Sequence, residues 1–153
     1  MDDALIVLTT VLAALVAGGL LVVEIGLVRA VEALPDAGGI RLHVAFDHYV
    51  EWTMPELTVA TILAAAATLI TNGDLPTAAT ILYAAGIAGE VAVAAVSQFV
   101  NFPINGAMRG WEPGVVPAEY GALRRRWNRA HRTRTAAGQL AFLCFAIAFL
   151  TIY

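Results

Sequence analysis

The chain has 153 residues, of which 59% are apolar and 14% charged, with a mean hydropathy of +0.75 and a net charge of −3. A soluble domain is nearer about 45–50% apolar and about 25% charged, so the composition excludes an ordinary water-soluble fold and points to one membrane-embedded domain over residues 1–153. All nine basic residues are arginines beside apolar runs, and the only cysteine is Cys144; nucleic-acid binding, a disulfide and a paired-thiol redox centre are thereby set aside.

Four apolar runs are expected to span the bilayer, at about residues 4–27, 52–71, 77–100 and 135–153. The first begins Met1-Asp2-Asp3, acidic where a signal peptide is basic, and reads as a retained helix. The second helix is expected to run from about residue 39 to 71, amphipathic at first, then apolar, with a kink at Pro55. Asn72-Gly73 marks a tight turn after it. The third span is expected to end near residue 100 and to lead through Pro103 into a loop. The fourth helix is expected to open at Pro117, with a basic first half and an apolar second half.

Arg29 and Arg41 precede the second apolar run, and Arg109 through Arg134 precede the last. Short loops rich in arginine stay in the cytoplasm, which places residues 28–51 and 101–134 there and both chain ends outside the plasma membrane. The fold class is therefore an all-α, integral membrane, up-down-up-down four-helix bundle, with helices 2 and 4 extended on the cytoplasmic side.

Polar residues gather toward that side. Glu24, Glu56 and Glu90 come from three different spans, and a carboxylate at bilayer depth needs a partner or a proton. His43, Asp47 and Glu51 follow at i, i+4 and i+8 and form one stripe, with His48 three residues before Glu51. Imidazole with carboxylate suits a transition metal such as Fe, Cu or Mn, which makes His43, His48 and Glu51 possible ligands. The Glu-x-x-His pairs of di-iron bundles do not occur. On the last helix, Trp127, His131, Arg134 and Thr135 share a face. Asn101 and Asn105 bracket Pro103, where their amides can cap freed backbone groups or hold a phenol or carbonyl oxygen.

Two segments carry a family resemblance. Val100-Asn101-Phe102-Pro103-Ile104-Asn105-Gly106 resembles the Asn-x-Pro-x-Asn segment of a group of small four-helix membrane proteins, and Arg126-Trp127-Asn128-Arg129-Ala130-His131-Arg132-Thr133-Arg134-Thr135 resembles the opening of their last helix. The group includes the anthrone oxygenases of aromatic polyketide pathways. The resemblance implies oxygenation of a flat, electron-rich phenol or anthrone with molecular oxygen as co-substrate and no obvious organic cofactor. It also implies a site containing Asn101, Asn105, Trp127, His131 and Arg134. In that chemistry His131 is the expected base, Arg134 with Asn101 and Asn105 the expected oxyanion donors, and Glu90 a proton carrier. Trp127 and Trp52 are candidates to stack on a substrate entering from the bilayer, with Glu56 and Glu24 nearby.

Three other readings fit the same residues. One is a metal-dependent membrane oxidase using His43, His48, Glu51, Glu56, Glu90 and His131. Another is a small proton-coupled transporter built on Glu24 or Glu90. The third is an assembly subunit, for which the small residues Ala84, Ala85, Gly86, Ala88 and Gly89 offer a surface for a homo-oligomer.

Overall fold

The computed structural model describes residues 2–50 and 52–153 and, among them, contains helices and turns but no strand. We number the helices α1 (Asp3–Glu32), α2 (Asp36–Val50), α3 (Thr53–Thr71), α4 (Thr77–Arg109) and α5 (Tyr120–Ile152). All but α2 are long and apolar enough to cross a membrane. At about 1.5 Å per residue, α4 and α5 outreach a hydrocarbon core of about 30 Å.

The distribution of polarity is that of a protein whose solvent is lipid. Thr9, Thr61, Thr68, Glu90, Asn101 and His131 are fully buried, whereas Leu63, Ile70, Ile81, Leu140 and Leu150 face outward. The buried hydroxyls satisfy themselves within their own helices: Thr9 donates to the Leu5 carbonyl at 2.8 Å, Thr61 to Leu57 at 2.8 Å and Thr68 to Ala64 at 2.9 Å. Thr9 and Thr68 also meet across α1 and α3 at 3.3 Å. Without a strong hydrophobic drive between helices in lipid, such small polar contacts and close packing hold a bundle together.

The helix ends follow local chemistry. The Asp2 carboxylate accepts from the Leu5 N–H at 3.3 Å, and the Asp2 N–H donates to Asn72 Oδ1 at 2.6 Å, tying the start of α1 to the end of α3. Partners of α1 on α5 run backward as α1 runs forward: Gln139 donates to the Ala17 carbonyl, Arg132 to Glu24 and Asn128 to Glu32.

Three boundaries differ from the sequence expectation. A proline is disfavoured inside a helix, and the described residues of 39–71 form two: α2 ends at Val50 and α3 begins at Thr53. Pro55 therefore sits in the first turn of α3, where a missing N–H is harmless. The third helix does not give way to a loop near residue 100: α4 passes through Pro103 and ends at Arg109. A π turn over Ser97–Asn101, closed by the Phe102 N–H on the Ser97 carbonyl, precedes the proline. The last helix opens at Tyr120 rather than Pro117; the Tyr120 N–H reaches back to the Pro117 carbonyl at 3.0 Å. A second π turn interrupts α1 over Val23–Leu27.

The core has two unlike parts. Toward Asn72, Tyr83 and Phe145 pack among Ala13, Ala65, Ala79, Ala141 and Ala148. There α4 and α5 touch so closely that a Cβ on Gly86 would lie 2.5 Å from the Phe145 ring, and one on Gly89 2.9 Å from the Ala141 Cβ. At the other end Val23, Leu27, Val31, Ile40, Ile104, Met108 and Trp127 form a second cluster of larger side chains beside both π turns.

Candidate functional site

A cavity of about 400 Å³ lies in the second part, within the size range of small-molecule sites. Its body is apolar: Val16, Leu20, Val23 and Leu27 from α1, Met54, Pro55 and Val59 from α3, and Val91, Val93 and Ala94 from α4. Its polar end is drawn from three helices. His43 and Asp47 come from α2, Ser97, Gln98 and Asn105 from α4, and Trp127 and Arg134 from α5.

Helical spacing explains most of this convergence. Asp47 lies one turn beyond His43, and Trp127, His131 and Arg134 share a face of α5. The π turn supplies the rest: one extra residue rotates everything beyond it by about 100°. Asn101 closes that turn and is buried, and past it Asn105 is buried against α2 and α5.

Asn105 is the hub. Its Oδ1 accepts from the Trp127 indole N–H at 2.7 Å, and its Nδ2 donates to Asp47 Oδ1. The indole can only donate and the carboxylate only accept, so these two contacts fix the amide orientation. His43 Nε2 lies 3.1 Å from the same Oδ1 and must therefore carry the proton. This leaves Nδ1 as the lone-pair nitrogen of His43. On the far side, Arg109 lies 3.5 Å from Asp47 Oδ2. Burial, the largest influence, holds His43 below its ordinary value; the Asn105 bond and Asp47 oppose it, while Arg134 and Arg124 act with it.

His131 forms a second, separate node. Arg134 Nε donates to His131 Nδ1 at 3.0 Å, and His131 Nε2 faces the Leu20 carbonyl at 3.2 Å, with the Thr135 hydroxyl at 3.3 Å. The ring is fully buried, stacked on Trp127 at 5.0 Å, and forms no part of the cavity wall. Both its nitrogens are occupied. Arg134 continues to Ser97 Oγ at 3.0 Å and keeps N–H donors to spare, since a guanidinium has five.

The remaining sequence candidates divide. Trp127 lines the cavity and meets the His43 ring edge-on at 4.7 Å. Asn101 is fully buried off the wall, its amide donating to the Trp127 carbonyl at 3.4 Å. Glu24 pairs with Arg132 at 3.2 Å and lies 3.7 Å from His131. Glu90 is fully buried, with neither carboxyl oxygen in a hydrogen bond among the described residues, and it is not part of the wall. Trp52 and Glu56 are exposed and stand outside the cavity.

The suggested metal ligands do not come together. His43 is buried while His48 is exposed against Tyr49, as five residues of helix turn the second ring about 140° from the first. Glu51 lies outside the described residues. Among the described residues, no group of three or more His, Cys, Asp or Glu is placed to hold a metal ion.

Asp47, Ser97 and Gln98 were not singled out as site residues from sequence. The signal for Asp47 was present in its spacing from His43; Ser97 and Gln98 carry none, since packing between helices is what puts them on the wall. A protein-family model described as anthrone oxygenase matches residues 42–144. That stretch contains every polar residue of the cavity wall. Among curated proteins and solved structures, nothing matches.

Proposed function

The chain belongs to the anthrone oxygenase family, and on that premise we propose that it oxidises a flat, apolar anthrone- or phenol-like substrate with molecular oxygen inside the bundle. The observation that carries this reading is the cavity itself: an apolar body ending in His43, Asn105, Trp127, Ser97 and Arg134. The net change turns a methylene into a carbonyl. One oxygen atom of O₂ enters the product and the other leaves as water.

We assign the base to His43 rather than His131. Proton removal from the methylene gives an enolate-type anion that electrons can leave for oxygen. His43 has Nδ1 free of hydrogen bonds among the described residues and forms part of the wall, whereas His131 has neither property. Arg134 holds the developing oxyanion with its spare donors, in a setting with little water to screen it. His131 positions that guanidinium, and Asn105, already bonded to three neighbours, orients His43 and Trp127. The ring of Trp127 offers a face or edge to an aromatic substrate. Oxygen is the co-substrate, and no organic cofactor enters the scheme.

In the membrane this reading takes the bundle as up-down-up-down across the plasma membrane. The arginine-bearing segments 28–51 and 101–134 lie in the cytoplasm, with both ends outside, on the support of the arginine distribution. The test is oxygen uptake by detergent-purified protein given anthrone, with elemental analysis of the same sample. Uptake coupled to anthraquinone formation, and lost in His43→Gln, is the expected result. Wild-type turnover in His43→Gln would sink the base assignment.

Glu90 favours a second reading. A fully buried carboxyl with no hydrogen bond, in the middle of a span, suits a proton-coupled transporter. Proton-coupled uptake of a solute by vesicles, abolished by Glu90→Gln, would support it.

A further inference from the structure

We propose that Asp47 is a positioning residue for the His43 base, acting through the Asn105 amide to hold the ring as its Nε2–H tautomer and to offset the charge the ring gains on taking a proton. The inference rests on the oxygenase reading of the cavity and adds to it a residue that touches neither substrate nor oxygen in that scheme.

Three observations carry it. Asp47, Asn105 and His43 form a buried chain in which the carboxylate accepts from the amide and the amide oxygen accepts from the imidazole. Donor and acceptor roles are fixed along the whole chain, because two groups of a single polarity set the central amide: the Asp47 carboxylate accepts from Asn105 Nδ2 and the Trp127 N–H donates to Asn105 Oδ1. Among the described residues, the charged groups acting on His43 are Asp47 on its own helix and Arg134 and Arg124 on α5. From α4, Arg109 sits on Asp47, and from α5 the neutral His131 ring lies beyond Trp127. Asp47 is thus the anion set against two cations.

When Nδ1 receives the substrate proton, His43 becomes an imidazolium. Its Nε2–H then strengthens its bond to Asn105 Oδ1, an oxygen made more basic because the amide's other end donates to a carboxylate. The arrangement resembles the carboxylate behind a catalytic histidine, with one amide inserted between them. The amide transmits both orientation and charge, and it keeps the carboxylate itself from competing for the proton.

The test uses full-length protein in detergent with ¹⁵N-labelled histidine, in which the three histidines can be told apart by single replacements. Nitrogen shifts report each ring's tautomer and titration independently of turnover. Asp47→Asn keeps an acceptor for Asn105 but removes the charge. His43 should stay in the Nε2–H form, titrate at more acid pH than in the unaltered protein, and support anthrone oxidation with kcat lower by about tenfold. The acid limb of the rate profile should move with the titration. Asp47→Leu removes the acceptor as well, and His43 should then show a mixture of tautomers. His131 should be unmoved in both variants, since Arg134 and the Leu20 carbonyl set its tautomer. Unchanged His43 shifts and titration in Asp47→Asn overturn the inference, and that isosteric variant decides the matter if Asp47→Leu does not fold. If the unaltered protein does not oxidise anthrone, the oxygenase reading fails instead, and the titration still decides whether Asp47 acts on His43.

Discussion

The two ends of the bundle solve opposite problems, and only one of them draws on the short helix α2. Near Asn72, alanine and glycine let α4 and α5 approach until the Phe145 ring fills the notch at Gly86. Near Trp127 each of two helices carries a π turn, the side chains are larger, and a cavity of about 400 Å³ remains, lined by fixed hydrogen-bond donors and acceptors. Close packing gives the first end its stability. In the second end some packing has been exchanged for polar groups whose orientations are set by one another. The difference teaches that a small helical bundle can keep close packing and a polar cavity apart along its length; under the proposed function, substitutions at one end should register in stability and at the other in turnover.

The largest expected effect is at the cavity end. His43→Gln should lower kcat by roughly 10²- to 10⁴-fold, the usual contribution of a general base, with little change in the melting temperature. Steady-state oxygen uptake beside a thermal melt checks both halves of that statement. Gly86→Ala should do the reverse. Its new Cβ meets the Phe145 ring at 2.5 Å, and overpacking of this kind costs about 1–3 kcal/mol, read as a lower melting point with unchanged turnover per folded molecule.

A smaller effect concerns pH. Burial keeps His43 below the ordinary value of about 6.5, so the neutral base persists into mildly acid solution. The acid limb of kcat/KM should therefore fall below that pH rather than at it. The sign for folding is the same: below about pH 6.5 the unfolded chain binds a proton that the folded chain resists, and stability falls as pH drops toward the folded value. A limb at or above the ordinary histidine value would point to another base. The smallest effects should come from Trp52→Ala, Glu56→Gln and His48→Gln. These exposed residues stand outside the cavity and should stay within about 0.5 kcal/mol in stability, with turnover near that of the unaltered protein.

Much of this was legible in the chain. The four long apolar helices follow from composition, and the resemblance around Asn101, Asn105, Trp127, His131 and Arg134 named a group of which Asn105, Trp127 and Arg134 do share the cavity wall. Choosing between His43 and His131 was not possible from spacing, because it depends on which ring nitrogens are already occupied, a property of contacts between helices. His131 reads well as a base on a wheel of α5, yet its nitrogens are held by Arg134 and by the Leu20 carbonyl, 111 positions away in the chain. Trp52 looked like a stacking residue for the equally local reason that it stands at the start of an apolar run; it is exposed at the start of α3 and outside the cavity wall. The π turns left no mark at all, since an ordinary 3.6-residue period describes the residues on either side.

Those turns also change what kind of variation the protein can absorb. In most of a helical bundle the identity of a side chain matters and the count of residues is forgiving only in the loops. Here α4 carries one residue more than a regular helix would need between Val96 and Phe102. Deleting it would leave every side chain of the site present and the helix more regular, yet turn Asn105 by about 100° away from His43, Asp47 and Trp127. The same deletion between Arg109 and Tyr120 would merely shorten a connection. The site is thus encoded partly as arithmetic: related chains that conserve all its residues but lack that extra position would have the parts of the site without its alignment.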